Sequence, residues 1–297
     1  HSGAAKPSPE PMNTSVAEQS GMASIHSEPP AFMDSGLLAA LGPGMTARRQ
    51  PMSTTLLIIQ TLNGLQFGII LFLIAAGLTL VFGVMDFINL AHGVQYMVGA
   101  YLAAAFTAMT GNFGLGLLLA LPTALAFGLV LEVLIFRHLY DRDHLDQVLA
   151  TFGLILFFND LARVVFGRHP LNLNPPGWLA GSLEIIPGAP YPVFRLLVIV
   201  TGILVMLLLY LLVQRTRLGM WIRAGASDRE MIGALGVDIA VLYTVVFGLG
   251  ALLAGLAGVM AGPFSAVQSG MGEGILILTF VVIVIGGIGS IRGAVVG

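Results

Sequence analysis

The stretch that decides the fold is residues 52–136, MSTTLLIIQTLNGLQFGIILFLIAAGLTLVFGVMDFINLAHGVQYMVGAYLAAAFTAMTGNFGLGLLLALPTALAFGLVLEVLIF, in which the only Asp, Glu, Lys or Arg residues are Asp86 and Glu132. A helix needs about 20 apolar residues to cross the hydrocarbon core of a bilayer, so this stretch holds three spans. They fall at 56–82, 87–109 and 115–136, with Gly83, Gly111 and Gly114 as punctuation. Working outward, a short charged loop, RHLYDRDHLD at 137–146, precedes a fourth span at 148–166 that contains Asp160. Residues 167–194 carry six prolines and Trp178, too many helix breakers for a membrane helix, and read as an extramembrane loop or small interfacial element. Further spans follow at 196–214 and 239–261, and an apolar stretch at 274–297 contains one arginine. The fold class is all-α, a polytopic transmembrane helical bundle.

The whole chain agrees. Of 297 residues, 57% are hydrophobic and 9% charged, with mean hydropathy +0.93, whereas soluble chains are about 25% charged. A cytosolic globular enzyme is excluded. Zero Cys removes disulfides, thiolate metal sites and cysteine nucleophiles. A net charge of -2 with a single lysine, Lys6, argues against nucleic acid as a partner. No HExxH motif or histidine cluster offers a metal site, no acid, base and nucleophile stand at a recognisable catalytic spacing, and no cofactor is implied.

Residues 1–51 hold 7 of the 15 prolines and read as a disordered or non-native upstream tail, with Met45 or Met52 as the expected start. No charged n-region, apolar h-region and cleavage site occur in that order. Residues 52–297 form the membrane domain, which is expected to be truncated at its C-terminus because Gly297 lies inside an apolar, glycine-rich run. Arginines crowd residues 215–229, placing that loop in the cytoplasm. Counting back two crossings puts 137–146 there too and 167–194 outside. Three spans before Arg137 make the N-terminus external, whereas Arg48 and Arg49 favour the opposite side. A broken or re-entrant segment between Asp86 and Gly93 would reconcile them.

Residues 223–238, RAGASDREMIGALGVD, read as a short cytoplasmic surface helix capped by Ser227, with Glu230 completing a capping box and Gly236 ending the helix. Met231, Ile232 and Leu235 then share one side. Such a helix, charged at one end and apolar at the other, suits docking into a groove on a second protein; the alternative is a solvated connecting loop.

The order Arg223, Ala224, Ala226, Asp228, Met231, Leu235, Gly236, Val237 resembles the coupling-helix motif of ABC importer permeases, in the variant of the branched-chain (hydrophobic) amino acid uptake family. A second stretch, 77–101, is similar to that family's early motif through Gly77, Gly83, Asn89, Ala91, His92, Gly93, Tyr96, Met97, Gly99 and Tyr101. A third, 284–297, resembles its late glycine-rich segment through Gly286, Gly287, Gly289, Ser290, Gly293 and Gly297. The sequence departs from the pattern with Arg292 where proline is usual and with Gly233 inside the docking helix. The resemblance implies a permease subunit in a prokaryotic inner membrane, working with two ABC ATPase subunits, a second and usually distinct permease subunit, and an external solute-binding protein. It assigns ATPase coupling to Arg223, Ala226, Asp228, Glu230, Met231, Leu235 and Gly236. Urea, short amides and sugars are carried by similar permeases. The chain has no GxxxxGK[ST] and its one lysine lies in the tail, so nucleotide hydrolysis belongs to another subunit.

Ionisable groups in hydrocarbon cost at least about 2.5 kcal/mol and need a partner or a cavity. Asp86, Asn89 and His92 recur at i, i+3 and i+6, on one side if the segment is helical, and with Gly93 they are candidates for the translocation pathway. Proton or ion handling by an ion-coupled transporter is the competing role, and bonding to carbonyls freed at a helix break is the structural one. Glu132 is expected to snorkel, Asp160 to pair with Arg163, and Glu273 to sit at a membrane surface. Gly248, Ala251, Gly255, Gly258 and Gly262 recur along one helix face, and Gly289, Gly293 and Gly297 repeat the pattern, predicting close helix packing inside the bundle or at a subunit interface.

Overall fold

The computed structural model describes residues 54–186, 189–287 and 289–297; the expectations for residues 1–51 lie outside it. Ten α-helices, a short 3-10 helix at Phe136–His138 and one hairpin occur among the described residues, the α-helices and strands in the order α1 Thr54–Met85, α2 His92–Thr110, α3 Phe113–Leu134, α4 His144–Phe166, β1 Ser182–Ile186, β2 Ala189–Pro192, α5 Val193–Arg215, α6 Arg217–Ser227, α7 Arg229–Ala234, α8 Ile239–Ala261, α9 Met271–Gly286 and α10 Ile291–Val296. Among the described residues five stretches are long and apolar enough to cross a membrane: α1, Phe113–His138, α4, α5 and α8.

The bundle is built around α8, which packs on α1, α2 and α3; α2 and α3 also pack on each other, and α5, α9 and α10 lie against α1. In α1, Leu73, Ile74, Ala75 and Ala76 are all fully buried, because a helix that is apolar all round finds neighbours on every side. The central helix α2 is more polar. His92, Gln95, Tyr96 and Tyr101 are all buried on it, so it is shielded from lipid by the helices around it. Glycines set the spacing. A Cβ on Gly258 would fall on the Tyr96 carbonyl oxygen of α2, and one on Gly255 would lie 2.8 Å from the Ala124 Cβ of α3.

The chain reverses where a break was expected. Helix α1 ends at Met85, residues 86–91 are not helical, and α2 starts inside the bundle, where His92 Nε2 lies 3.2 Å from the Ile74 carbonyl oxygen. Ile74 stands about 16 Å from the end of α1 at 1.5 Å per residue, so residues 86–91 are the non-helical part of a broken span that α2 continues. Asp86 has φ +52, a left-handed conformation uncommon outside glycine. Phe87 anchors the segment, fully buried, with ring centroids 5.5 Å from Phe136 and 5.6 Å from Tyr140. Three helices precede Arg137, so the start of α1 lies at the end opposite the arginine-bearing loops; the segment at 86–91 is a break within a crossing and leaves that parity unchanged.

At the outer end the proline-rich stretch forms an interfacial hairpin, pairing Ser182 with Pro192 and Leu183 with Tyr191; its prolines sit on a two-stranded edge where a missing N–H is tolerated. Leu171 and Val267 exchange two backbone hydrogen bonds of 2.9 Å beside it. The apolar run expected at 274–297 is two helices. Gly287 at φ +93 and Gly289 at φ +81 turn the chain, and α10 folds back on α9 with Gly286 and Gly293 in backbone contact. Gly289 is therefore a turn residue next to Gly83 of α1 rather than part of a helical stripe.

Candidate functional site

The cytoplasmic end is shaped by a sharp corner between α5 and α6. Thr216 caps α6 by accepting from Gly219 N at 3.1 Å, and Gly219 lies against the Leu212 and Val213 carbonyls, where a side chain has no room. Gly219, Ile222 and Gly225 are buried at three-residue spacing, so α6 lies along the bundle as an amphipathic strip. Sequence reasoning missed α6 as a separate helix, although this spacing is its signal. Arg223, expected to couple to an ATPase, is exposed and donates to the Val213 carbonyl, bracing the corner. Ala226 lines a cavity of about 170 Å³ together with Thr79, Gly83, Arg223 and Ser290.

Helix α7 is one residue out of the expected register. Ser227 ends α6, and Asp228 is the cap, accepting from Met231 N at 2.9 Å. No capping box with Glu230 forms, because both residues can cap and the preceding helix has consumed Ser227. Gly236 ends the turn at φ +87 as expected, and Val237 N reaches back to the Ile232 carbonyl at 3.3 Å, a left-handed helix stop. The three apolar residues do not share one side. Ile232 is 4% exposed and holds α7 to the bundle, while Met231 at 59% and Leu235 at 76% project outward, beside exposed Asp228, Arg229 and Glu230. Asp238 then caps α8 through Ala240 N at 2.9 Å and Val241 N at 3.3 Å.

Arg229, which the sequence did not single out, ties this helix to the broken segment after α1. Its guanidinium lies 3.9 Å from Asp86 Oδ2 and 3.5 Å from the Met85 carbonyl, a cation at the carbonyl end of α1 where the helix dipole favours it. Asp86 also faces His144 at 4.0 Å and is half-exposed, so it lies at the arginine-bearing surface and not on a common helical side with Asn89 and His92. Those two are fully buried. Asn89 makes no side-chain hydrogen bond among the described residues, and Gly93 touches Gly272 backbone to backbone at the start of α9. Gln147, also missed, fixes the segment from α4: its Oε1 accepts from Ile88 N at 3.2 Å, and its Nε2 donates to the Leu139 and Arg142 carbonyls.

Glu132 does not snorkel. It is fully buried and accepts from Arg137 at 3.3 Å, Tyr140 at 3.3 Å and Thr244 at 3.1 Å, joining α3, the charged loop and α8. Burial, with the neighbouring carboxylate, pushes the Tyr140 phenol above its ordinary range, so it stays a neutral donor. Asp160 pairs with Arg163 at 3.0 Å on an exposed face, as expected. Glu273 lies in the first turn of α9 and accepts from Asn159 Nδ2 of α4 at 2.5 Å. The α8 glycines serve internal packing: Gly248 against Leu129 of α3, Gly258 against Tyr96 and Ala100 of α2, and Gly262 against Leu173.

Residues 60–297 match the family described as branched-chain amino acid transport system / permease component. The chain is 32% identical over 252 residues to the high-affinity branched-chain amino acid transport system permease protein BraD of Pseudomonas aeruginosa, covering 80% of this chain and 81% of that protein. It is 30% identical over 251 residues to the corresponding protein LivH of Escherichia coli, with the same coverage of 80% and 81%. A more distant relative, the ribose import permease protein RbsC of Escherichia coli, is 26% identical over 236 residues, 76% of this chain and 68% of that one. No solved structure matches. With a predominantly helical membrane bundle, a projecting two-residue apolar knob at its arginine-bearing end and a family match spanning nearly all of the described residues, the chain belongs to the permease-component family of branched-chain amino acid transport systems.

Proposed function

We propose that this permease subunit forms one half of a translocation pathway for branched-chain amino acids in a prokaryotic plasma membrane, driven by ATP hydrolysed on separate subunits. The observation that carries this reading is α7, where Met231 and Leu235 stand 59% and 76% exposed on a helix whose other apolar residue, Ile232, is locked into the bundle. One of two ABC ATPases docks there, the other on the paired permease subunit, and α7 passes their closing motion to the spans. An external solute-binding protein delivers the amino acid to the hairpin end. A second, similar but distinct permease subunit completes the pathway as a heterodimer. The path runs beside Gly93 and the broken segment at 86–91, with Asn89 and His92 supporting it from within. Asp86 belongs to the coupling end, since it faces Arg229, and this favours ATP coupling over ion coupling.

The test is reconstitution of the chain with the ATPase, permease and binding-protein subunits encoded beside it. Labelled leucine, ribose and urea are each offered with and without ATP. Leucine uptake that requires ATP and binding protein is expected; uptake of ribose or urea in place of leucine, or leucine uptake without ATP, overturns the reading.

A further inference from the structure

We propose that Glu273 is the group in this subunit that recognises the α-ammonium of the transported amino acid, an assignment that rests on the substrate reading above. Asn159 lies about seven residues, roughly 10 Å, from the outer end of α4, so the carboxylate it holds is below the outer surface and at membrane depth. An anion there carries an insertion cost of roughly 2.5 kcal/mol or more and calls for a counterpart. Glu273 has only part of one. Its Oε1 accepts from Asn159, whose Oδ1 in turn accepts from Gly270 N at 3.1 Å and whose backbone oxygen accepts from Ser269 at 2.9 Å. Asn159 is 8% exposed, so this is a fixed mount. Oε2 bonds to nothing among the described residues, no described cation pairs with the carboxylate, and the side chain is exposed.

What lies beside that free oxygen is apolar. Val94 and Met97 of α2, Ile155 of α4 and Leu276 of α9 line a cleft with Asn159 and Glu273. A fixed carboxylate oxygen next to a hydrocarbon wall matches a primary ammonium one carbon away from a branched alkyl chain. Within one subunit the cleft measures about 10 Å³, too small for the ligand. Its floor is the Gly93–Gly272 backbone contact between the starts of α2 and α9, so parting those two helix starts opens it, and the paired subunit supplies the facing wall. Asn159 is the positioning residue, acting on substrate only through Glu273.

The test uses the complete reconstituted transporter. Dicyclohexylcarbodiimide converts an accessible carboxyl to an N-acylurea, which peptide mass spectrometry reads at Glu273. In the wild-type complex leucine is expected to protect Glu273, and 4-methylpentanoate, the same chain without the ammonium, is expected to leave it open. Equal protection by both, or by neither, overturns the proposal. E273Q is expected to lower leucine uptake at saturating binding protein by about tenfold to a hundredfold, the span of a lost charged hydrogen bond, with ATPase docking retained. An assembled E273Q complex that imports leucine at the wild-type rate overturns it as well, and the protection assay decides the matter if E273Q does not assemble. In N159A, Glu273 is expected to label as before while the leucine concentration giving half-protection rises; unchanged protection removes the positioning role. A wild-type complex that imports another solute and no leucine refutes the substrate reading itself, a result visible before any variant is made.

Discussion

Replacing Met231 and Leu235 together by serine strips the projecting knob and leaves the fold alone. Burying a Leu or Met side chain completely is worth about 1.5–3 kcal/mol. Scaled by the 76% of Leu235 and 59% of Met231 that stand free, docking gains about 2–4 kcal/mol from the pair. Removing them therefore weakens ATPase affinity by about 30- to 700-fold. Stability should move by less than about 0.5 kcal/mol per site, since neither side chain packs in the bundle. The assay is titration of the detergent-solubilised permease with its ATPase, followed by ATP-dependent uptake in vesicles. I232S is the contrast. At 4% exposure its loss detaches α7 from the bundle, so thermal stability and docking both fall. Should the double-serine variant bind the ATPase as tightly as the parent and import solute at the same rate, α7 is a connecting loop and the transmission argument fails.

Three further outcomes follow from the packing. Gly255→Leu drives a branched side chain into a space where even a Cβ stands 2.8 Å from Ala124; a loss of at least about 1–3 kcal/mol should appear as lower yield and melting temperature, while Gly64→Ala, with nothing within 4 Å, should leave both intact. Glu132→Ala removes the acceptor shared by Arg137, Tyr140 and Thr244 and should cost about 1–3 kcal/mol, discounted because Arg137 can turn to water; a thermal shift smaller than that of Thr244→Val would contradict the shared-acceptor account. Asp228→Ala should destabilise α7 by about 1 kcal/mol and reduce coupled uptake several-fold, whereas Ser227→Ala should do neither; the reverse order would restore Ser227 as the cap.

Hydropathy made the long helices legible. The span read at 239–261 coincides with α8, and those at 148–166 and 196–214 fall within α4 and α5. Composition is enough there, because lipid contact demands an unbroken apolar run whatever the tertiary partners are. Legibility ended wherever a partner decides. Glu132 sits near a charged loop in sequence, and only the arrival of Thr244 from α8, 112 residues away, makes burial affordable. Between Ser227 and Asp228 local rules cannot choose, since the choice depends on α6 ending first. The break at Asp86 was legible through its glycine and asparagine neighbours, but its anchors were not: Phe87 reads as one more apolar residue and Gln147 as a loop polar group until their contacts are known. Arg229 and Asp86 are 143 positions apart, and no local pattern links them.

In the proposed cycle the route inward from α7 follows from these ties. Arg229 binds the helix to the end of α1, while the Gly236 stop and the Asp238 cap make it continuous with the start of α8. Those two helices meet at Gly77 and Gly250, where no side chain separates the backbones, so a push on α7 reaches both at once and moves them as one body, close-packed interiors being shifted more easily than compressed. Helix α8 carries α2 with it through Gly258 at Tyr96 and Gly99 at Gly255. Between α1 and α2 the link is the non-helical residues 86–91, held by Phe87 and Gln147 and free of side-chain bonds at Asn89 among the described residues. Rotation is absorbed there, and it is delivered to the first turn of α2, where Gly93 rests on Gly272. Glu273 is the next residue. A nucleotide-driven displacement at the cytoplasmic surface thus arrives at the contact that closes the cleft beside that carboxylate, which places the mechanical input and the ligand-facing group at opposite ends of a single, glycine-lubricated path.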